Sequence, residues 1–402
     1  MTFTINRALQ MLLFVPTLVA CQKAPDPMLQ APIAPIQTVT QSSDGLKVKF
    51  NPQVDILFVI DNSWSMKSHQ ENLSANINNF VYSLTKNGKD GADFDEMDLH
   101  IGAMSVYDSV TYAGLANPSL NFNQGFYPMG YLRPLRNAKG EVISEGLPFI
   151  TRETPDFENV LKASLMVGAL PLNKKNPLES GPEYEEMFSP IVSFLSDETR
   201  PLLPLQQEFL RPGAHFVAIL VTDAPDSSRF TASQLDEFLR MTRNDPYRET
   251  FTLLAMLPHK GQIAHPEAKQ SGCPYDPAGP PTNILELMKI SHGHTFDLCN
   301  RTEMSKALAE MGDLVRKRTI KKRIELGNNF GIPELNTIEV TYAGKPVPND
   351  PENGWMLNPN DVSITVYGLG DNAIKSGGEL LIKYRPVAMR GLKQGTAHSF
   401  KQ

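Results

Sequence analysis

The chain has 402 residues and a mass of 44.6 kDa, which corresponds to two domains or to one large domain with an appendage. Hydrophobic residues make up 41% and charged residues 20%, so the composition is that of a globular protein with a sizeable core. The 38 Lys and Arg against 44 Asp and Glu give a net charge of −6, which makes nucleic acid a poor partner. Three cysteines are too few for a disulfide-stabilised small fold.

The first 20 residues have the layout of a secretory signal peptide. Arg7 precedes an apolar run over residues 11–20, which is too short to span a bilayer as a helix. Cys21 follows Leu-Val-Ala, and this resembles the bacterial lipoprotein box, whose cysteine is acylated. The resemblance implies a palmitate-bearing lipoprotein of the cell envelope, and Gln22 instead of Asp after the cysteine favours the outer membrane. The alternative is an ordinary signal peptide with an incidental cysteine.

Residues 21–50 are rich in Pro, Gln, Thr and Ser and lack hydrophobic periodicity, which predicts an extended tether. The exported chain then keeps Cys273 and Cys299. Because the envelope is oxidising, a disulfide between them is the simplest interpretation. A zinc site is the weaker alternative, since His292 and His294 fit no familiar ligand spacing.

Strands alternate with helices over residues 51–317. Short apolar runs predict strands at 55–60, 99–106, 215–221, 250–257 and 294–297. Apolar residues at helical spacing predict helices at 71–85, 155–170, 184–195, 233–242, 283–290 and 303–316. This alternation predicts the α/β class, with a doubly wound, mostly parallel sheet that binds ligands at the carboxyl ends of its strands.

The pattern changes after residue 317. Short strands are predicted at 339–342, 362–367 and 380–384, separated by turn-rich stretches. Residues 318–402 are therefore predicted to form a small all-β domain and tail.

A D-x-S-x-S motif follows the first strand of the alternating region. It consists of Asp61, Ser63 and Ser65, and a second strand-end acid, Asp223, follows the strand at 215–221. Neighbouring parallel strands bring such residues to one edge of a sheet, and carboxylate and hydroxyl oxygens suit a hard divalent cation. The alternative is a polar turn in which a serine caps the following helix.

This arrangement resembles the von Willebrand factor A-type (VWA) domain with its metal-ion-dependent adhesion site. More narrowly, the chain resembles bacterial A-domain lipoproteins, which share the lipobox, the Asp-Asn-Ser-x-Ser-Met turn, a cysteine pair and a small β domain with a Gly-Trp step, here Gly354-Trp355. The resemblance implies Asp61, Ser63 and Ser65 as first-loop metal ligands and Asp223 as the third-loop acid.

The resemblance also implies a Ser or Thr ligand in a second loop. Ser180 is the first choice for that ligand, and Thr151 and Thr154 are its competitors. Trp64 replaces the glycine common between the two serines, and its indole is predicted to contact a partner. Asp226 is predicted to support the site or to contact the partner.

These features predict a membrane-anchored binding or adhesion protein that is not an enzyme. The expected cofactor is Mg²⁺, with Mn²⁺ or Ca²⁺ as alternatives, and the expected partner is a protein that offers a carboxylate to the metal. The alternative is an envelope assembly or docking factor in which the metal only stabilises loops. Hydrolysis is disfavoured because no G-x-S-x-G, Walker or G-x-G-x-x-G motif is present.

Overall fold

The computed structural model describes residues 39–42, 45–50, 52–87, 93–111, 129–143, 145–176, 180–196, 208–258, 280–326, 333–358 and 362–385. The predicted signal peptide, Cys21 and Cys273 lie outside these residues. Within them, no helix combines the length and the apolar character that crossing a membrane requires.

Helices and strands alternate through the first two thirds of the described chain. The strands are β1 (Val39–Ser42), β2 (Gly45–Lys49), β3 (Gln53–Ile60), β4 (Lys86–Asn87), β5 (Asp93–Phe94), β6 (Asp98–Ser105), β7 (His215–Val221), β8 (Phe251–Leu257), β9 (His294–Asp297), β10 (Lys322–Glu325), β11 (Glu339–Tyr342), β12 (Lys345–Pro346), β13 (Trp355–Asn358), β14 (Ser363–Val366) and β15 (Glu379–Lys383). The helices are α1 (Lys67–Asn76), α2 (Asn78–Thr85), α3 (Phe157–Ser164), α4 (Phe188–Leu195), α5 (Ala232–Thr242), α6 (Thr282–Ile290) and α7 (Met304–Ile320).

The central sheet has the strand order β6-β3-β7-β8-β9, and all four pairings are parallel. Every residue of β7 and β8 is buried, as expected for strands covered on both faces. The predicted α/β class with a parallel sheet is therefore confirmed. The chain winds to one side from β3 to β6 and then returns past β3 to β7, so the winding reverses between β3 and β7. Ligand sites of open α/β sheets lie at this switch point, outside the carboxyl ends of the strands.

Side chains of β3 alternate between two hydrophobic clusters, because successive residues of a strand point to opposite faces. Ile56, Phe58 and Ile60 belong to the cluster that contains buried residues of α1, α2, α3 and α7. Leu57 and Val59 belong to the other cluster, which contains buried residues of α4, α5 and α6. Helices thus cover both faces of the sheet, as the doubly wound prediction requires.

Four helix predictions differ from the structure. The helices predicted at 155–170 and 184–195 are shorter and span Phe157–Ser164 and Phe188–Leu195. The helix predicted at 71–85 begins four residues earlier, at Lys67, and is divided at Ile77 into α1 and α2. The last predicted helix continues to Ile320 and so crosses the predicted domain boundary at residue 317.

The C-terminal strands form two antiparallel sheets, with the orders β1-β2-β15-β11-β12 and β10-β14-β13. Strand β2 pairs with β15, so residues predicted to belong to the tether are part of a sheet. The tether prediction is therefore wrong for residues 39–42 and 45–49. Leu46, Val48 and Phe50 are buried at alternate positions, a period of two that the surrounding polar composition conceals.

Candidate metal-binding site

The D-x-S-x-S turn begins at the centre of the carboxyl edge of the sheet. The backbone N–H of Asp61 donates to the Val221 carbonyl at 2.9 Å, and the Val106 N–H donates to the Ile60 carbonyl at 3.2 Å. The end of β3 is therefore fixed between β6 and β7, at the switch point of the sheet.

The Asp61 carboxylate is fully buried and organises this turn. Its Oδ1 accepts a hydrogen bond from the Ser63 N–H at 2.7 Å, and its Oδ2 accepts one from the Thr222 hydroxyl at 2.7 Å. The Gln70 side chain on α1 donates from Nε2 to the Asp61 carbonyl at 2.8 Å and to the Gly168 carbonyl at 2.9 Å. Asp61 is thus held by the turn, by β7 and by α1 at the same time.

The two serine hydroxyls and Asp223 form a contiguous group of oxygens. Ser63 Oγ lies 3.0 Å from Ser65 Oγ, and Ser65 Oγ donates to Asp223 Oδ1 at 3.1 Å. Mg²⁺ binds oxygens at about 2.0–2.1 Å in octahedral geometry, so adjacent ligands lie about 2.8–3.0 Å apart. The observed separations of 3.0 and 3.1 Å are close to this spacing, and the oxygen-only donor set fits a small, hard divalent cation.

The serine hydroxyls do not cap the helix that follows. A short 3-10 helix, Trp64–Met66, begins directly after Ser63, and the Ser63 side chain makes no capping hydrogen bond to it. Met66, the residue before α1, also makes no side-chain cap. The helix-cap alternative is therefore wrong, and the hydroxyls converge with Asp223 instead.

The donor set is oxygen-only, and the described residues contain no group of three or more His, Cys, Asp and Glu that could hold a metal ion. Two carboxylates with two hydroxyls suit Mg²⁺ better than a metal that prefers nitrogen or sulfur ligands.

Ser180 lies in a segment that borders the turn. The adjoining Gly181 is so close to Leu170 that a Cβ there would lie 2.0 Å from the Leu170 carbonyl oxygen and 3.6 Å from that of Asn62. The Ser180 hydroxyl donates to the Gly181 carbonyl at 2.7 Å and accepts from the Asn173 N–H at 2.8 Å. These bonds fix the segment beside the turn, and Ser180 as the second-loop ligand stays a prediction.

The competing threonines lie at the opposite edge of the sheet. Ile150 pairs with Ile101, near the start of β6, and Arg152 Nη1 donates to the Asp95 carbonyl before that strand. The Thr154 hydroxyl accepts from the Thr151 N–H at 2.9 Å. Both residues are therefore excluded as ligands of a site that lies beyond the carboxyl ends of the strands.

Asp226 organises a neighbouring helix. Its Oδ1 accepts from the Met187 N–H at 2.8 Å and the Phe188 N–H at 3.3 Å, at the start of α4, and from the Ser228 hydroxyl at 2.6 Å. Burial raises the pKa of Asp226, although these hydrogen bonds oppose the shift. The side chain is only 7% exposed, and its two predicted roles, support of the site and contact with a partner, stay predictions.

Further buried carboxylates lie in the loops of this edge. Asp108 Oδ2 accepts from the Glu183 and Tyr184 N–H groups at 2.7 and 3.1 Å, and Glu186 Oε1 accepts from the Ser109 N–H at 2.7 Å. Together with Asp61 and Asp223 they bring four acidic side chains to this edge, where the buried Arg133, bonded to Ser105 at 2.9 Å, offsets part of their charge.

Trp64 is the exposed residue of the turn. Its side chain is 54% exposed, and Lys67 Nζ lies 5.2 Å from the ring centroid. Three other large apolar residues of the surrounding loops are also exposed, namely Val110, Leu172 and Tyr184. The indole is therefore available for contact with a partner.

Thr222 and Gln70 are site residues that the sequence pattern does not predict. Both contact Asp61, and neither belongs to the D-x-S-x-S motif. Thr222 directly precedes Asp223 at the end of β7, so the strand-end position was the signal available for it. Gln70 stands nine residues after Asp61 on a helix of mostly polar residues, where nothing in the pattern distinguishes it.

No protein-family model and no curated protein matches the sequence. Among solved structures, the chain is similar to proximal thread matrix protein 1 from the mussel byssus with a zinc-occupied MIDAS motif, with a TM-score of 0.33 and 11% identity over 71% of this chain and 51% of that one. It is also similar to the pilus adhesin SpaC from Lactobacillus rhamnosus GG, with a TM-score of 0.30 and 13% identity over 86% of this chain and 42% of that one.

A third similar structure is the ArnB paralog VWA2 from Sulfolobus acidocaldarius, with a TM-score of 0.30 and 9% identity over 85% of this chain and 60% of that one. The chain thus spans about half the length of the solved proteins that it resembles. TM-scores of this size carry no argument about fold or function, so the candidate site stands on its own geometry.

Proposed function

We propose that the protein is a divalent-cation-dependent binding protein of the bacterial cell envelope, anchored through a lipid on Cys21. The observation that carries the metal site is the spacing of 3.0 and 3.1 Å between the oxygens of Ser63, Ser65 and Asp223. That spacing is close to the separation of adjacent ligands in an octahedral Mg²⁺ site, and it places these oxygens where one cation could replace their hydrogen bonds.

The ligating residues would be Asp61, Ser63, Ser65 and Asp223, with Ser180 as the second-loop ligand, and Asp61 would also fix the shape of the turn. When bound, the cation would supply positive charge and an open coordination position for a carboxylate of the partner. Mn²⁺ and Ca²⁺ are alternatives to Mg²⁺ because they also prefer oxygen ligands.

Trp64 would add apolar contact next to this position. An exposed indole beside a charged contact is favourable at an interface, because it buries a large area with few rotatable bonds. A partner segment with an acidic residue flanked by apolar side chains fits this surface best.

A capture experiment tests the proposal. The chain over Ala31–Gln402, which forms one compact unit, is immobilised and exposed to envelope proteins in Mg²⁺ or in EDTA. We expect capture in Mg²⁺ only, and we expect its loss when the carboxylates of the envelope proteins are first capped with a carbodiimide and an amine. Ser65→Ala should also abolish capture, since it removes one hydroxyl from an exposed position.

The second candidate is a docking factor in which the metal only stabilises loops. The buried Asp61 carboxylate favours this alternative, because it already holds the turn together by accepting hydrogen bonds from the Ser63 N–H and the Thr222 hydroxyl. Under this alternative, EDTA lowers the thermal stability of the chain but leaves capture intact at low temperature.

A further inference from the structure

A basic segment lies at the junction of α7 and β10. Six of the eight residues from 316 to 323 are basic, namely Arg316, Lys317, Arg318, Lys321, Lys322 and Arg323. No acidic residue occurs between residues 314 and 324. The net charge of −6 conceals this local excess of positive charge.

One of these residues has a structural role. Arg316 Nε donates to the buried Asp95 Oδ2 at 2.7 Å, and Asp95 Oδ1 accepts from the Ile374 N–H at 2.7 Å. Arg316 therefore connects α7 to the segments before β6 and β15. The other five basic residues form the basic segment.

Lys317 and Lys321, the exposed lysines of the basic segment, make no strong ion pair among the described residues. Lys317 pairs with Asp313 at 2.9 Å, but both side chains are more than half exposed, so the pair is weak. Lys321, four residues after Lys317, is also exposed, and its Nζ lies 5.7 Å from the ring centroid of Tyr367. Among the described residues, no acid lies within ion-pair distance of Arg318 or Lys322.

Another cation, Arg243, adjoins the basic segment. Burial lowers the pKa of Lys322, and the nearby Arg243 lowers it further. Burial also lowers the pKa of His215, and Arg243, Arg318 and Lys322 all lie close enough to contribute to that shift. These three cations are therefore concentrated near the start of β7, where α7 and β10 also meet.

This concentration lies at the amino edge of the central sheet, opposite the candidate metal site. His215 and His294 are the first residues of β7 and β9, whereas Asp61 and Asp223 follow the carboxyl ends of β3 and β7. Seven residues of strand separate the two edges along β7, a distance of about 23 Å.

Two exposed apolar side chains accompany the charge. Tyr247 is 80% exposed and Met241 is 57% exposed, so both are more accessible than most apolar residues of the described chain. Asp245 and Glu249, on either side of Tyr247, both act on the charge of Lys322, which places this loop beside the basic segment. Tyrosine is enriched where proteins meet a membrane–water interface.

We propose that this amino edge is a membrane-docking surface that binds anionic phospholipid, with the exposed Lys317 and Lys321 at the headgroups and Tyr247 and Met241 in the interfacial layer. Clustered Lys and Arg are attracted to anionic lipids, and aromatic and apolar side chains add burial at the boundary. A nucleic acid is the less suitable polyanion, because the net negative charge of the protein would repel it outside this edge. A flat membrane would contact this edge only.

The orientation of this edge rests on the proposed function, in which the edge faces the membrane that holds the Cys21 lipid and the metal site points away from it. The binding of phospholipid by the edge does not rest on the proposed function, because it needs neither the acyl chain nor the divalent cation. The two proposals can therefore fail separately.

Vesicle sedimentation tests the inference. The unlipidated chain over Ala31–Gln402 is mixed, in low salt and EDTA, with vesicles of phosphatidylcholine alone or with one third phosphatidylglycerol. We expect binding to the anionic vesicles only, and release at high salt, because exposed charges are screened. Replacing Lys317 and Lys321 together by Gln should weaken binding about 25-fold, about fivefold for each lost charge.

The matched control replaces Lys174 and Lys175, at the metal edge, by Gln. Lys174 pairs with Glu183 at 2.8 Å and both lysines are exposed, so the charge change and the setting are equivalent. Binding within about twofold of wild type is expected for this control, whereas Tyr247→Ser should weaken binding without a change of charge. Far-UV circular dichroism verifies that each variant folds.

Three results would overturn the inference. They are a failure to bind anionic vesicles in low salt, an equal loss of binding in both lysine double variants, and preferential binding of duplex DNA that displaces the vesicles. The last result would assign the basic segment to nucleic acid instead.

Discussion

Substitution of Asp61 by Ala should destabilise the protein even when no metal is present. The carboxylate is fully buried and accepts hydrogen bonds from the Ser63 N–H and the Thr222 hydroxyl, each at 2.7 Å. Ala supplies neither acceptor, so the Ser63 N–H loses its partner, and the Thr222 hydroxyl keeps only a longer contact, 3.4 Å to the Ala224 carbonyl. An unsatisfied buried donor costs about 1–3 kcal/mol, so we expect a loss of that size from the Ser63 N–H and a smaller one from Thr222. A typical domain has only about 5–15 kcal/mol of stability, so the effect is large.

Urea unfolding in EDTA, followed by far-UV circular dichroism, measures this loss. Asp61→Asn should lose less, because the amide oxygen still accepts one of the two hydrogen bonds. Asp350→Ala is the matched control, since its carboxylate also accepts two backbone N–H bonds, from Glu352 at 2.8 Å and Asn353 at 2.7 Å, but is partly exposed to solvent. If Asp61→Ala unfolds at the same urea concentration as the Asp350→Ala control, Asp61 does not organise the turn and this account of it is wrong.

Three further predictions concern other parts of the chain. Burial raises the pKa of Asp55 to about 6, although the nearby Arg211 acts in the opposite direction. The contribution of this group to folding stability is therefore complete below about pH 4 and is lost as the pH rises through about 6. Urea unfolding across this range should show a smaller change in stability for Asp55→Asn than for wild type. An unchanged pH profile in Asp55→Asn would contradict that shift. Cys273 and Cys299 are predicted to form a disulfide worth about 3 kcal/mol, so the folded, non-reduced protein should react with no thiol reagent at these positions, and two reactive thiols would refute the bridge. Cys21→Ser should abolish acylation, measured by incorporation of labelled palmitate, and continued labelling of the variant would exclude the lipoprotein interpretation.

Much of the central sheet was predictable because its strands are uninterrupted apolar runs. Strands β7 and β9 have the predicted bounds, since β7 reads HFVAILV and both strands follow turn-forming or polar residues. Strand β2 was missed although Leu46, Val48 and Phe50 alternate with lysines, because the preceding Pro-rich stretch suggested a tether throughout. Its partner, β15, lies more than 300 residues further along the chain, and no local pattern reveals such a pairing.

The candidate site was predictable in its motif but not in its supporting residues. The D-x-S-x-S spacing and a strand-end Asp are local features, and the structure brings Ser63, Ser65 and Asp223 together. The hydrogen bonds of Asp226 with α4 and of Thr222 with Asp61 depend on which helix or turn packs beside the end of β7. Such contacts follow from tertiary packing, so a pattern of residue types along the chain does not specify them.

Calorimetric titration with Mg²⁺ tests the central claim most directly. Asp223→Asn should weaken binding at least about tenfold, about 1.4 kcal/mol, because it removes a negative charge from the oxygen group that includes Ser65. Asp226→Asn makes the same change three residues later, in a side chain that holds α4, and should alter the affinity by less than about twofold. Wild-type affinity in Asp223→Asn, or an equal loss in both variants, would contradict the assignment of a metal site to this turn.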